Sequence, residues 1–232
     1  MKPFTIAFPL YSSLDEAPRI LMEKMHLDLS KKQVIIPGSP MFYSPILQGP
    51  AAALEALFAE HAPLSEEESK AISAHRSLLF LQFVAKSPEE FLSFLPVAKK
   101  LLENLASGIY VENSGCAWSA KVFLELVSGD VPLEAFVNFI ETSDSLFTLG
   151  LEPFGLPDFC VAKENVVGGG RDVLISAADS VLLDAQDFSS GSKWKDDDGN
   201  VFEFRNEATV PFAKKSPEWN AQGYRRLILR KS

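Results

Sequence analysis

The sequence has few cysteines and no long apolar run, and both are features that secreted or membrane proteins need. It has 2 cysteines in 232 residues, too few for the disulfide framework of a small secreted domain. No apolar run approaches the roughly 20 residues of a membrane helix. The N-terminal segment is interrupted by Pro3 and Pro9 and is too short for a signal peptide. We therefore expect reduced, buried cysteines, no membrane association and a cytoplasmic location.

Basic charge is also scarce. The 22 Lys and Arg are outnumbered by 31 Asp and Glu, and the net charge is -9. This field repels phosphate backbones, so we predict no nucleic-acid function. A C-terminal cluster is the local exception: Arg225, Arg226, Arg230 and Lys231. Such a cluster is typical of a terminal strand with solvated charges, the alternatives being docking on an acidic partner or on the chain's own acidic residues.

Motifs for metals and cofactors are missing. No two His or Cys residues have ligand spacing such as C-x-x-C or H-x-x-x-H. The acidic run 196–200 places Trp194 and Arg205 where a calcium loop needs carboxylates, so it predicts a hairpin turn. The glycines at 168–170 precede Arg171 and a helix, which could cradle an anion, but without phosphate-loop spacing they favour a flexible connector. We predict no metal and no cofactor.

Apolar residues are abundant, at 47% with 18 Phe, enough for a well-filled core. Apolar periodicity and capping residues predict an alternation of strands and helices up to residue 111. The strands are 3–10, 33–37, 41–47, 77–84 and 109–111, and the helices follow Ser13, Pro50, Ser65 and Ser87. The order predicts an α+β fold with a mixed sheet, ferredoxin-like β-α-β-β-α-β elements and a β-α-β unit with parallel strands at 76–112.

The remaining chain continues this pattern. We predict a helix over 117–127, an antiparallel hairpin over 136–140 and 146–151, a helix over 172–185, and strands over 193–195, 201–204 and 224–229. We favour one interlocked domain, 1–232. The alternative divides the chain into 1–73, 74–167 and 168–232, because the glycines near 168 are the best candidate boundary.

The stretch Thr148-Leu149-Gly150-Leu151-Glu152-Pro153-Phe154-Gly155-Leu156-Pro157 resembles a T-x-G-L-x-x-F-G-x-P motif of uncharacterised bacterial proteins grouped as a domain of unknown function. The preceding order of elements, from His75 to Leu151, is also similar. The resemblance implies an α+β domain without an established activity, so it supplies no catalytic residue. Physically, Gly150 and Gly155 permit a bulge or bend, and Pro157 is expected to end strand pairing.

The segment from Glu112 to Trp118 is the candidate site, because it follows a predicted parallel strand and precedes a predicted helix, where α/β sheets bind ligands. A thiol at a helix N-terminus has a lowered pKa, so Cys116 is a candidate nucleophile, with His75 and Glu112 as catalytic partners. Asn113, Ser114 and Trp118 are candidate binding residues. The alternative is that Cys116 is a buried core residue and that the polar residues only cap the helix.

Two functions follow from these observations. The first is a non-catalytic binding or protein-interaction domain with an unidentified protein or small-molecule partner, favoured by the missing catalytic and cofactor motifs. The alternative is a thiol-dependent or small-molecule-transforming enzyme centred on Cys116. Self-association as a homo-oligomer is left open by the sequence.

Overall fold

The computed structural model describes residues 2–129, 132–166 and 170–230. Contacts between residues group the chain into two compact units, an N-terminal unit of residues 3–135 and a C-terminal unit of residues 136–232 with residues 1 and 2. Each unit has one six-stranded sheet with helices, which confirms the α+β class. The contact boundary at residue 135 differs from the divisions considered above, and a single interlocked domain stays a prediction.

The N-terminal unit has six strands and five helices over its described residues. In chain order they are β1 (Phe4–Leu10), α1 (Ala17–Met25), β2 (Val34–Ile35), β3 (Phe42–Gln48), α2 (Leu54–His61), α3 (Glu66–Ser73), β4 (Ser77–Phe83), α4 (Pro88–Asn104), β5 (Gly108–Val111), β6 (Cys116–Ser119) and α5 (Ala120–Leu126), followed by a 3-10 turn at Pro132–Ala135. The capping signals at Ser65 and Ser87 act as predicted, whereas Ser13 does not cap α1: the N-cap is Glu16, and the amide and hydroxyl of Ser13 donate to its carboxylate. The Ser65 side chain accepts from the amide of Glu68, and Ser87 accepts from Glu90.

The strand order in this unit is β2-β3-β4-β1-β5-β6, and every neighbouring pair is antiparallel. The helix α4 joins β4 to β5, which run in the same direction, as predicted for 76–112. The two strands are separated by β1, which pairs with both of them. The fully buried side chains of Ile6 and Phe8 explain why β1 occupies the centre of the sheet.

The two faces of this sheet are covered differently. On one face, which we call the inner face, α4 packs against the strands, and Phe94 contacts the rings of Phe8 and Phe83. On the opposite face, which we call the outer face, α2 and α3 pack over one half of the sheet and form a cluster with side chains of the strands. The cluster contains Leu54, Phe58, Ile72, Leu78 and Ala117, with Phe80 and Tyr110 packed against it. In the other half, the apolar side chains of Ile35, Phe42 and Ile46 are exposed.

The C-terminal unit has six strands and one α-helix over its described residues. They are β7 (Asn138–Glu141), β8 (Ser145–Leu149), β9 (Asp158–Ala162), α6 (Arg171–Leu183), β10 (Lys193–Lys195), β11 (Val201–Asn206) and β12 (Tyr224–Arg230), with 3-10 turns at Glu152–Phe154 and Lys163–Asn165. The strand order is β10-β11-β12-β9-β8-β7. Strands β12 and β9 are parallel and the other pairs antiparallel, so the sheet is mixed.

Two local predictions are wrong. The predicted helix over 117–127 begins at Ala120, because Cys116–Ser119 pairs with β5 as a strand and the Ser119 side chain caps the helix. Pro157 does not end pairing but directly precedes β9, a position where its missing N–H costs the sheet no hydrogen bond. The glycines at 168 and 169 lie outside the described residues.

Candidate functional site

The predicted nucleophile Cys116 lies in a strand and not at a helix N-terminus. A four-residue turn, 112–115, joins β5 to β6, and Gly115 adopts a positive φ of 74° within it. Cys116 pairs with Val111 and is 0% exposed. The helix dipole that was expected to lower the pKa of its thiol is therefore not adjacent to it.

The polar residues of this turn hold the sheet together. The Asn113 side chain accepts a hydrogen bond from the amide of Thr5 at 2.8 Å and donates to the carbonyl of Pro3 at 3.0 Å. The buried Ser114 hydroxyl accepts from the amide of Cys116 at 3.3 Å. Glu112 is exposed, and its amide donates to the carbonyl of Thr5. These contacts extend the pairing between β1 and β5.

Trp118 and His75 also make structural contacts. Trp118 is buried, and its indole N–H donates to the carbonyl of Ala135 at 2.8 Å. His75 lines a cleft of about 250 Å³. Its Nε2 accepts from the amide of Ala51 at 3.0 Å and its Nδ1 lies 2.7 Å from the carbonyl of Ile72, which a neutral ring with the proton on Nδ1 satisfies.

The structure does not bring the predicted catalytic residues together. His75 precedes β4, whereas Cys116 lies on β6, three strands further along the sheet. Three interstrand spacings amount to about 14 Å. Both His75 nitrogens are already bonded to the backbone. Catalysis by Cys116, His75 and Glu112 stays a prediction that the geometry does not support.

No group of three or more His, Cys, Asp or Glu side chains within residues 2–129, 132–166 and 170–230 is arranged to hold a metal ion. Over the same residues, the longest helices are too short or too polar to cross a bilayer.

The uncovered half of the outer sheet face, in the N-terminal unit, presents a row of exposed apolar side chains. Ile35 and Phe42 are cross-strand partners on β2 and β3 and are 53% and 60% exposed. Ser44 pairs with Gln82, and continuing this register by two residues places Val84, 38% exposed, beside Phe42. Phe4 pairs with Phe83, so the same extension places Pro3 beside Val84. The row therefore crosses four strands.

A second row, two residues further along each strand, is polar and uncharged. It consists of Gln33, Ser44, Gln82 and Thr5, of which Gln82 donates to Thr5 at 3.3 Å. Within the described chain, the side chains of Gln33 and Ser44 have no hydrogen-bond partner. We call the two rows together with the exposed Ile46 the open face. Its members are Pro3, Thr5, Gln33, Ile35, Phe42, Ser44, Ile46, Gln82 and Val84.

A cleft of about 360 Å³ runs over the open face. Its lining includes Pro3, Gln33, Phe42, Ser44, Gln82 and Val84, with Lys86 and Glu90 at one end. Strand β3 continues past the two-residue β2, which pairs only with Phe42 and Tyr43. This continuation carries Pro45, which lacks the N–H that another strand would need. The cleft can therefore receive apolar side chains and hydrogen-bonding groups on its surface, while continuation of the sheet is disfavoured.

The open face could not be recognised from the sequence. Its residues come from segments near positions 3, 33, 42 and 82, and no local pattern joins them. A signal was present in β3, where Phe42 and Ile46 alternate with the buried Tyr43 on the opposite face. This alternation of apolar residues on both faces indicates a strand that has more apolar surface than one core needs.

The C-terminal unit has a buried carboxylate, Asp158, that is 1% exposed. It accepts hydrogen bonds from Thr148 at 2.9 Å, from the Asn220 side chain at 2.8 Å and from the amide of Leu151 at 3.3 Å. Burial raises its pKa to about 7, against the opposing effect of these three donors. Asn220 also donates to the carbonyl of Leu156, so the network fastens the segment before β12 to the sheet.

Comparison with known proteins gives no relative: no family model, curated protein or solved structure matches the chain.

Proposed function

We propose that the protein is a non-catalytic protein-interaction domain and that the open face is its binding surface. The observation that carries this proposal is the apolar row formed by Ile35, Phe42, Val84 and Pro3 beside a cleft of about 360 Å³. Isolated exposed apolar residues are common, but a contiguous row rimmed by polar groups marks a binding site.

The chemistry of the surface favours an extended protein segment as the ligand. The apolar row can take hydrophobic side chains, and the amides and hydroxyl of Gln33, Ser44 and Gln82 can pair with peptide N–H and C=O groups. Aromatic residues such as Phe42 supply much of the binding energy in such interfaces.

A different protein is favoured over a second copy of this chain. Each copy carries a net charge of -9, and a charge of this size keeps like molecules apart. The two cysteines, Cys116 and Cys160, are both buried and not in a disulfide, which supports an intracellular, cytoplasmic setting.

The strand order also supports a ferredoxin-like assignment for the N-terminal unit. Helix α1, followed by the two-residue strand β2, leads from β1 to β3, and helix α4 connects β4 to β5. In the sheet β4 separates β1 from β3, and β1 separates β4 from β5. This split arrangement is the pattern of the ferredoxin-like β-α-β-β-α-β motif. We propose that α2, α3, β6 and α5 are additions to that motif.

The test is capture of partners from a native cell extract with three versions of the full chain. They are the unaltered protein, the open-face variant Phe42→Ser with Val84→Ser, and the control Leu14→Ser with Met22→Ser, which removes two similarly exposed apolar residues elsewhere in the same unit. We expect a partner retained by the control and bound at least about tenfold more weakly by the open-face variant. Equal capture by all three versions, or capture of no partner with no self-association, overturns the proposal.

A further inference from the structure

A charged surface, separate from the open face, lies on the C-terminal unit, on the strands β10, β11 and β12. Lys193 is the cross-strand partner of Glu203 on β11. Arg205 lies two residues further along β11, so it shares that face. Arg230 on β12 pairs with Val201, two residues before Glu203, and reaches the same face. Lys195, the cross-strand partner of Val201, shares the face too, so four cations on three adjacent strands lie around one carboxylate.

This carboxylate is built into the sheet. Glu203 is 6% exposed, whereas Arg205 and Arg230 are 49% and 45% exposed. Arg230 donates from Nε to Oε2 of Glu203 at 2.6 Å, and Arg205 forms an ion pair with Oε1. A single buried carboxylate thus holds both guanidinium groups in place, and such preorganisation reduces the entropy lost when a ligand binds.

The cluster keeps an excess of positive charge. Glu203 neutralises one of the four cations, and within the described residues Lys193 and Lys195 have no ion-pair partner. Each arginine has five N–H donors, of which the contacts to Glu203 use only part. The half-buried Ile228 lies opposite Glu203 on β12, so the cations surround an apolar centre.

The rest of the C-terminal basic cluster is engaged within the chain. Arg226 pairs with Glu207 and donates to Ser145 at 3.2 Å, and Arg225 donates to the carbonyl of Phe188 at 3.3 Å. Arg226 and Arg230 therefore dock on acidic residues of the protein itself, one of the alternatives in the sequence analysis. Lys231 lies outside the described residues.

We propose that the surface formed by Lys193, Arg205, Arg230 and Ile228 binds a short acidic segment of a partner protein. Guanidinium groups pair with carboxylates through parallel hydrogen bonds, and local positive charge on a molecule of net charge -9 selects an anion. A long nucleic acid would extend beyond these cations over a molecule of net charge -9, whereas a short acidic segment can stay on them, which favours the short segment. This site is separate from the open face and does not depend on it.

The test measures binding of fluorescein-labelled hexaglutamate to the full chain by fluorescence anisotropy. The site variant is Lys193→Gln with Arg205→Gln. The control is Lys214→Gln with Lys215→Gln, which removes the same charge from exposed lysines of the same unit. The control should unfold at the temperature of the unaltered chain, whereas the site variant should be somewhat less stable because Glu203 loses the ion pair with Arg205 and keeps only that with Arg230. Thermal unfolding of each variant before the titration checks that it is folded at the temperature of the binding measurement. We expect binding at least about fivefold weaker in the site variant and within about twofold in the control.

The competing ligands are labelled oligothymidine and vesicles containing phosphatidylserine. The proposal requires hexaglutamate to bind more tightly than either and to weaken as salt rises from about 50 to about 200 mM. Absence of hexaglutamate binding, or equal loss in both variants, overturns it. Tighter binding of oligothymidine or vesicles through Lys193 and Arg205 also overturns it, in favour of a nucleic acid or a lipid surface.

Discussion

At the scale of single residues, the two thiols are core residues of their sheets. Cys116 and Cys160 are both 0% exposed, and burial raises the pKa of Cys160 to about 12. A nucleophilic thiol needs both exposure and thiolate character. The sequence offered two interpretations of Cys116, and its position in β6 favours the core residue.

We therefore predict that neither thiol reacts in the folded protein. Treatment with iodoacetamide at pH about 8 should label Cys116 and Cys160 only after addition of a denaturant, and mass spectrometry of the digested protein measures each site separately. Rapid labelling of Cys116 alone in the native protein would restore the enzyme hypothesis.

Asp158 makes the stability of the C-terminal unit depend on pH. Burial raises its pKa from 3.8 to about 7, and the nearby Glu152 acts in the same direction. Between these values the folded state binds a proton that the unfolded chain has released. The stability contribution of Asp158 is therefore complete below pH about 4 and is lost as the pH rises through about 7.

The variant Asp158→Asn should lack this pH dependence, because its side chain does not titrate. Its NH2 group would face the NH2 group of Asn220, and neither can accept a hydrogen bond. We therefore expect the variant to be less stable than the unaltered chain at pH about 5, by about 1 to 3 kcal/mol. The difference should shrink by pH about 8, where the unaltered chain carries a buried charge. Urea unfolding at both pH values measures it; a difference that grows with pH contradicts the raised pKa.

At the scale of elements, most local structure was predictable because its signals are local. The helix α4 has an N-cap serine, a first-turn proline and an apolar stripe, and it was predicted correctly. The start of α5 was not, because Cys116–Ser119 is fully buried and short. A run of this length has no period that distinguishes a strand from a helix.

Gly108 shows how close packing fixes an element. A methyl group at this position would lie 2.6 Å from the ring of Phe58 and 2.8 Å from the carbonyl of Trp118. The glycine therefore allows α2 to approach β5 closely.

We predict that Gly108→Ala destabilises the N-terminal unit by about 1 to 3 kcal/mol, the usual cost of overpacking. Gly49→Ala is the matched control, because its added methyl group would meet only Leu14 at an ordinary 3.9 Å. Thermal unfolding followed by circular dichroism compares the two. Equal melting temperatures for the variants would show that α2 does not pack against β5 as described.

At the scale of the whole molecule, the class of fold was predictable and the open face was not. Alternating strands and helices indicated an α+β protein, but insertion of β1 between β4 and β5 depends on long-range pairing. The open face exists only after this pairing, since it joins Ile35, Phe42 and Val84 from separate strands. A sequence pattern records which residues of a strand are apolar but not which face remains uncovered.

Photo-crosslinking from position 42 tests the central claim most directly. The photoreactive residue p-benzoylphenylalanine replaces Phe42 in one version of the full chain and the exposed Leu14 in another, and both are irradiated in living cells. If the open face binds a partner protein, position 42 will give a discrete crosslinked species of higher mass that position 14 does not give. The same products from both positions, or none from position 42 at matched expression, would contradict the account.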